Sequence, residues 1–234
     1  MKTIIQASHL VKTFQSGDSL IRAIDDVSFQ IKEGELVIIL GPSGAGKSTL
    51  LNLIGGMDFL SQGSLDVDGV DVGKFSQKQL TEYRRTKVGF VFQFYNLMPN
   101  LTAKENIELS TELQRNSLDP EAVLKAVGLE NRMDNFPSQL SGGEQQRVSI
   151  ARALAKNPKF ILCDEPTGAL DYQTGKEILS LLYNASKKEH KTVIIVTHNS
   201  ALKDMGDHVL KIKNGKINED SYNPNPKNIK EIEW

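Results

Sequence analysis

Two segments of this chain have the residue types and spacing needed to bind phosphate. The first is Gly41–Thr49, which fits the P-loop pattern of Gly, four residues, Gly, Lys and then Ser or Thr. In such a loop we expect the backbone N–H groups to surround the β-phosphate, Lys47 to neutralise the β- and γ-phosphates, and the hydroxyl of Ser48 to bind Mg²⁺. The residues expected to contact a nucleotide are Gly41, Pro42, Ser43, Gly44, Ala45, Gly46, Lys47, Ser48 and Thr49.

The flanking residues place this loop between a strand and a helix. The apolar run Leu36–Leu40 predicts a buried parallel strand, and Leu50–Ile54 supplies the apolar face of a helix that ends at Gly55-Gly56. A glycine-rich turn is the alternative interpretation, but the order strand, loop, helix disfavours it. The loop alone does not distinguish an ATPase from a GTPase or a kinase.

The second phosphate-binding segment is the octapeptide Leu140–Arg147. Ser141 and Glu144 form a capping box, which predicts a helix start whose free N–H groups and partial positive charge attract anions. Gly142 and Gly143 add no side chains, so a phosphate can approach the backbone closely. Taken alone, the box favours an ordinary capped helix. Because a P-loop is present in the same chain, we favour a second phosphate site at Ser141, Gly142, Gly143 and Glu144.

Two adjacent carboxylates end the apolar segment Phe160–Glu165. Successive residues of a strand point to opposite sides, so the two acids can have different roles. We expect Asp164 to hold Mg²⁺ through water and Glu165 to orient or deprotonate the attacking water. An acidic loop is the alternative, but two carboxylates at the end of a buried strand are costly unless a cation or substrate pairs with them.

Outside these motifs, the sequence predicts a central helical region with strands and further helices on both sides of it. The region from Thr102 to Asn157 reads as helical, with Thr102 and Asp119 as N-caps. The other predicted elements are strands at Thr3–Leu10, Ala23–Ile31, Val88–Phe92 and Thr192–Thr197, helices at Ser76–Arg85 and Asp171–Lys188, and hairpins at Leu65–Val72 and Asn214-Gly215.

These three motifs, in this order, resemble the ATP-binding cassette (ABC) ATPases, and the resemblance runs from about Ile4 to Ile217. It implies an α/β fold with a P-loop NTPase (RecA-like) core, an N-terminal antiparallel β region and an inserted α-helical subdomain. We therefore assign residues 1–93 and 158–221 to the core and residues 94–157 to the helical subdomain. Residues 222–234, which end at Trp234, are expected to form a loosely attached C-terminal tail.

The resemblance also assigns roles to single residues. Gln93 matches the glutamine of the Q-loop, which touches Mg²⁺ and reports to a partner protein. Asp171 matches the aspartate of the D-loop and is also a plausible helix cap. His198 matches the switch histidine that contacts the γ-phosphate, and Phe14 lies where the family usually stacks an aromatic ring on adenine. Taken singly, these residues also fit a polar strand end, a cap, a surface position and core packing.

In ABC ATPases the octapeptide lies too far from the P-loop of its own chain to contact the same nucleotide. The resemblance therefore implies a head-to-tail homodimer in which each ATP is held between the P-loop of one chain and Ser141 of the other. ATP closes the pair, and cleavage of the γ-phosphate opens it. The implied catalytic residues are Lys47, Gln93, Glu165 and His198, with ATP and Mg²⁺ as cofactors.

Composition limits the classes of function. The 28 Lys and Arg nearly match the 29 Asp and Glu, so the charge gives no reason to expect nucleic acid as a partner. Cys163 is the only cysteine, which excludes an intrachain disulfide and suits a cytosolic setting. No signal peptide is visible, and no apolar run approaches the ~20 residues that span a bilayer. We expect a peripheral subunit at the cytoplasmic face of the cell membrane, with a separate transmembrane permease.

The segment Gln93–Ile107 mixes aromatic and aliphatic residues where the core meets the helical region. It resembles the ABC subgroup of macrolide exporters, lipoprotein-releasing systems and the cell-division ATPase. Two functions remain open: export or extraction of a peptide, antibiotic or lipid-linked substrate, or mechanical drive of a membrane partner that signals or activates a wall hydrolase. A soluble nucleic-acid ATPase is disfavoured, because those relatives usually carry long coiled-coil inserts or two cassettes.

Overall fold

The structure is a computed structural model that describes residues 2–112, 114 and 116–233. Its strands are β1 (Thr3–Ser16), β2 (Ser19–Lys32), β3 (Leu36–Leu40), β4 (Gln62–Val67), β5 (Val70–Asp71), β6 (Val88–Val91), β7 (Phe160–Asp164), β8 (Thr192–Thr197), β9 (His208–Lys213) and β10 (Lys216–Tyr222). Its α-helices are α1 (Lys47–Ile54), α2 (Gln77–Lys87), α3 (Ala103–Thr111), α4 (Pro120–Ala126), α5 (Gly142–Ala155) and α6 (Tyr172–Lys187).

The described strands form two sheets. The order in the first sheet is β2-β1-β4-β5, and all of its pairs are antiparallel. The order in the second sheet is β10-β9-β3-β8-β7-β6, in which β9, β3, β8, β7 and β6 are parallel and β10 is an antiparallel edge strand. Parallel strands direct their carboxyl ends to one edge of the sheet, where ligands of such folds bind.

The parallel sheet separates two apolar cores. Leu36, Ile38 and Leu40 of β3 face the core shared with α3, α4, α5 and α6, while Val37 and Ile39 face the core shared with α1 and the antiparallel sheet. All five residues are buried, as the continuous apolar run predicted. Burial on both faces holds the carboxyl end of β3, and therefore the P-loop that follows it, in a fixed position.

Side-chain caps begin several helices where the sequence indicates them. Thr102 and Ser141 each form a complete capping box, and Asp119 caps α4 through the N–H of Ala122. Asp171 caps α6 by accepting from the N–H of Thr174 at 3.0 Å. Asp171 therefore does have the structural role that the sequence allowed for it.

Some predicted boundaries are wrong. β1 and β2 each have 14 residues, because they continue past the core as an exposed antiparallel hairpin in which Phe14 pairs with Ile21 and Ser16 with Ser19. These exposed residues lack the alternation of buried and exposed side chains that would have predicted the longer strands. The strand predicted to reach Phe92 ends at Val91. The helix predicted at Ser76–Arg85 runs from Gln77 to Lys87, with Ser76 as its cap.

The C-terminal segment is not loosely attached as the sequence suggested. β10 continues to Tyr222, and the chain then forms a short 3₁₀ helix at Ile229–Glu231 that packs against α6. Ile229 and Ile232 are buried in the same core as the parallel strands. Two isolated isoleucines among polar residues and prolines give too weak a pattern to predict such docking. Trp234 lies outside the described residues.

Candidate active site

The P-loop backbone is shaped by two glycines that no other residue could replace without strain. Gly46 has φ of 103°, and a Cβ there would lie 2.3 Å from the carbonyl oxygen of Ala23. A Cβ on Gly41 would lie 2.3 Å from the carbonyl oxygen of Ile212. The loop is therefore pressed against β2 and β9, and α1 begins directly after it at Lys47. The loop lies at the carboxyl end of β3 and directly before a helix start, a position that suits an anion.

Lys47 is a buried cation held by its own loop. Its Nζ donates to the carbonyl oxygens of Gly41 and Pro42 at 2.8 and 3.1 Å. These two bonds hold the side chain against its own loop, at the carboxyl end of the parallel sheet. A cation in this position could neutralise phosphate charge, and it also acts on the nearby carboxylate of Asp164.

Ser48 and Asp164 lie side by side. The hydroxyl of Ser48 donates to Oδ1 of Asp164 at 3.1 Å, which joins the start of α1 to the end of β7. Burial raises the pKa of Asp164 above its ordinary value and the neighbouring Glu165 adds to the rise, although the hydrogen bond from Ser48 and the charge of Lys47 oppose it. A buried carboxylate next to a second carboxylate is stabilised by a nearby cation.

Glu165 lies just beyond β7 rather than within it. Its φ is 46°, so the chain turns sharply after Asp164, and its N–H donates to the carbonyl oxygen of Val196 at 2.9 Å. The carboxylate Oε1 lies 2.9 Å from Nδ1 of His198, which follows β8. The two acids have different partners, Ser48 and His198, but Glu165 lies outside the strand, so strand alternation does not explain the difference as the sequence suggested.

These residues line one cavity of about 610 Å³ at the carboxyl end of the parallel sheet. Its lining is Ala23, Ser43, Gly44, Gly46, Lys47, Ser48, Thr49, Gln93, Asp164, Glu165, Gly168 and His198. The fold thus brings together residues from five separate parts of the sequence. Ala23 and Gly168 were not predicted. Gly168 is reached by a turn in which its N–H donates to the carbonyl oxygen of Glu165 at 3.0 Å, and no motif in the sequence indicates that turn.

The octapeptide Leu140–Arg147 lies in the described part of the chain but does not line this cavity. Ser141 and Gly142 are exposed at the start of α5. Oε2 of Glu144 accepts from the N–H of Ser141 at 2.8 Å, and its Oε1 accepts from Nε of Arg132 at 3.0 Å. Both bonds hold Glu144 at its own helix start. The start of α5 is therefore exposed at the surface of the chain, and its predicted role in binding phosphate stays a prediction.

Phe14 also does not line the cavity. It lies on β1 opposite Ile21 and is 41% exposed, and Nζ of Lys12 lies 4.8 Å from the centre of its ring. Exposure disfavours the core-packing interpretation. An exposed ring remains available for stacking on a base, and its role there stays a prediction.

The fold and these side chains define a nucleotide-binding domain of the P-loop class. Residues 24–168 match the protein family described as ABC transporter. The chain is 42% identical over 234 residues to the putative ABC transporter ATP-binding protein MG065 homolog of Mycoplasma pneumoniae, covering 99% of this chain and 50% of that protein. It is 42% identical over 223 residues to the macrolide export ATP-binding/permease protein MacB of Brucella melitensis, covering 93% of this chain and 34% of that protein. It thus spans half or less of the length of these two relatives.

The chain belongs to the ABC transporter family of ATP-binding proteins. Among solved structures, the dimeric post-hydrolysis state of the ATP-binding cassette MJ0796 bound to ADP and Pi matches with a TM-score of 0.87 at 41% identity, over 94% of this chain and 98% of that one. MJ0796 is from Methanocaldococcus jannaschii. These matches confirm the predicted family, the α/β P-loop fold and the class of enzyme, an ABC ATPase.

Proposed function

We propose that two copies of this chain pair head to tail around two ATP molecules and that their ATP hydrolysis drives a membrane permease on a separate chain. One observation carries the proposal: the P-loop cavity and the Ser141 helix start are both suited to phosphate, yet they do not meet within one chain. A second copy supplies the missing contact. The related cassette MJ0796 is dimeric in a structure with ADP and Pi, which supports this arrangement.

Within each half of the dimer, we assign roles by position. Lys47 binds the β- and γ-phosphates, Glu165 orients or deprotonates the attacking water, and His198 contacts the γ-phosphate while it holds the carboxylate of Glu165. Gln93 reaches the same cavity from the segment that leads to the helical region. Ser141, Gly142, Gly143 and Glu144 form the phosphate-binding helix start that the partner copy receives.

The cavity suits Mg²⁺ in combination with phosphate. The described residues contain no group of three or more His, Cys, Asp and Glu side chains able to hold a metal ion by themselves. The Ser48 hydroxyl and the Asp164 carboxylate, 3.1 Å apart, are hard oxygen donors, and the raised pKa of Asp164 marks a carboxylate that a cation would stabilise. Ser48, Asp164 and Gln93 would hold the ion, which would neutralise phosphate charge.

Replacing Ser141 by arginine tests the shared site. Ser141→Arg places a long cation over the exposed helix start, which should block the approach of the second P-loop while each chain stays folded. We expect ATP-dependent dimerisation, measured by light scattering with Glu165→Gln added to prevent turnover, to fall at least about tenfold in apparent affinity.

Ser76 offers a matched control for this substitution. It also caps a helix, α2, through a complete capping box, and it is also exposed. Ser76→Arg removes an equivalent cap, worth about 1 kcal/mol, and adds the same charge. We expect the Ser76 variant to dimerise normally. An ATP-dependent dimer of unchanged affinity in the Ser141 variant would contradict the shared site.

The surface next to the Q-loop suits a membrane partner. Phe94 is 76% exposed and Met98 is also exposed, while a neighbouring cavity of about 240 Å³ is lined partly by the stacked rings of Phe90 and Phe92. An aromatic floor beside exposed apolar side chains fits a short helix of another protein.

Among the described helices, none is both long and apolar enough to cross a membrane. We place the chain at the cytoplasmic face of the membrane, bound through this surface.

We further propose that the partner exports or extracts a peptide, antibiotic or lipid-linked substrate. The 42% identity to a protein named for macrolide export supports this direction. The test is substrate flux in vesicles that contain the chain with the permease that co-purifies with it. We expect ATP-dependent flux that disappears in Glu165→Gln. Sustained ATP turnover with no flux of any candidate substrate would instead favour mechanical drive of a signalling partner or a wall hydrolase.

A further inference from the structure

Gln146 connects helix α5 to the catalytic loop of its own chain. Its side chain is 1% exposed, and its Nε2 donates to the carbonyl oxygen of Pro166 at 2.9 Å. Pro166 directly follows Glu165, whose backbone turns at a φ of 46°. One hydrogen bond therefore joins α5 to the residue next to the carboxylate proposed to act on water.

The same helix begins at the proposed γ-phosphate contact. Gln146 lies three residues after Gly143 and four after Gly142, so all three lie on one side of α5. A Cβ on Gly143 would lie 2.4 Å from Cγ2 of Thr174, and Thr174 is bonded through both its N–H and its hydroxyl to Asp171. The start of α5 is thus closely packed against the start of α6 in its own chain, and an α5 that moves as a rigid helix would carry Gln146 with it.

Packing alone does not account for an amide at this position. Oε1 of Gln146 is buried and accepts no hydrogen bond from the described residues. An unpaired buried acceptor costs free energy that a methionine of similar shape would not cost. Among the described residues, the amide makes its hydrogen bond through Nε2, which donates to Pro166. We therefore expect the benefit of an amide at this position to come from that bond.

We infer that Gln146 is a positioning residue that ties the placement of Glu165 to the placement of α5 in the same chain. The inference rests on the proposed shared-site dimer. In that dimer, the tip of α5 contacts the ATP held by the partner's P-loop, whereas Glu165 acts on the ATP of its own P-loop. Gln146 therefore makes hydrolysis in one site depend on engagement of the other site.

Mixed dimers separate this role from simple support of the α5 tip. A Glu165→Gln chain in large excess forces a small amount of test chain into mixed dimers, in which only the test chain hydrolyses its ATP. With Gln146→Met in the test chain, we expect kcat to fall up to about tenfold with KM unchanged, since one ordinary hydrogen bond is lost. With Gln146→Met moved to the excess chain and a wild-type test chain, we expect the wild-type rate.

The opposite pattern, a normal rate in the first mixture and a loss in the second, would show that Gln146 only supports the helix tip and would overturn the inference. Equal rates in both mixtures would overturn it as well. The excess chain is also measured alone. Turnover there would remove Glu165 from catalysis and overturn the proposed function together with the inference, so the two failures are distinguishable.

A second variant keeps the test independent of how methionine packs. Gln146→Glu removes the donor when ionised but restores it when protonated, and burial raises the pKa of such a carboxyl. With Gln146→Glu in the test chain of the first mixture, we expect the loss of kcat relative to wild type to be smaller at pH 6 than at pH 8. The same defect at both pH values would contradict a role for the donor to Pro166.

Discussion

Glu165→Gln is expected to lower kcat by about 10²- to 10⁴-fold while ATP binding is retained. Glutamine keeps the size and polarity of the side chain but cannot accept a proton from the attacking water. Because ATP is bound and not cleaved, the dimer should accumulate in its closed form. Phosphate release at saturating ATP, nucleotide binding and light scattering measure the three parts of this prediction.

The geometry of Glu165 makes this expectation specific. The carboxylate of Glu165 is only partly exposed and lines the cavity, and its Oε1 lies 2.9 Å from Nδ1 of His198. A glutamine can still place its oxygen toward His198, so the histidine and the loop should keep their positions. The lost activity is then a loss of proton transfer or water orientation and not of structure.

Glu130→Gln is a matched control, since Glu130 is an exposed glutamate outside the cavity lining and undergoes the same loss of charge. Its turnover should equal that of the wild type. Near-normal turnover in Glu165→Gln would remove Glu165 from the role of base, and failure to form a trapped dimer with ATP would argue against closure by the γ-phosphate.

Local motifs allowed much of the site to be predicted from the sequence. The P-loop carries its own geometry, since the glycines at 41 and 46 are required wherever the strand, loop and helix occur in that order. The helix caps at Thr102, Asp119 and Ser141 are also local, because each bond is made within three residues. Such features depend little on the rest of the fold.

The features that the sequence did not reveal depend on contacts between distant residues. The positive φ of Glu165 is held by a bond to Val196 on another strand, and Ala23 reaches the cavity because β2 lies against the P-loop. Ile229 and Ile232 are buried only because α6 offers them an apolar surface. The assignments of Gln93 and His198 came from family resemblance, since neither residue has a local pattern of its own.

The proposed division of the site between two copies is a further property that the contacts within one chain do not reveal. Ser141 is at the start of a well-capped helix in the monomer, and nothing in its own contacts requires phosphate. Only the combination of an exposed anion-binding helix start with a P-loop cavity that it does not line suggests a second copy. Each surface lacks a contact that the other could supply, and a motif in one chain does not reveal this.

Lys47→Ala is expected to weaken ATP binding by about 10- to 100-fold and to reduce turnover at saturating ATP to background. A charge-assisted hydrogen bond is worth about 1.5–3 kcal/mol, and Lys47 is the lysine of the proposed phosphate-binding loop and lines the cavity. Its contribution should grow as negative charge shifts during phosphoryl transfer, so added ATP should not restore the rate. Nucleotide titration and phosphate release over a range of ATP concentrations check both parts.

Lys156→Ala separates this electrostatic role from a structural one. Lys47 donates to the carbonyl oxygens of Gly41 and Pro42, and Lys156 likewise donates to the carbonyl oxygens of Arg84 and Val88 at 2.8 and 2.7 Å, outside the cavity. If both lysines only tied backbone segments together, both variants would lose thermal stability and activity to a similar extent. We expect the isolated chain with Lys156→Ala to bind and hydrolyse ATP normally once it is folded. An active Lys47→Ala variant would instead require another cation to neutralise the phosphates, and would overturn the assignment of the P-loop.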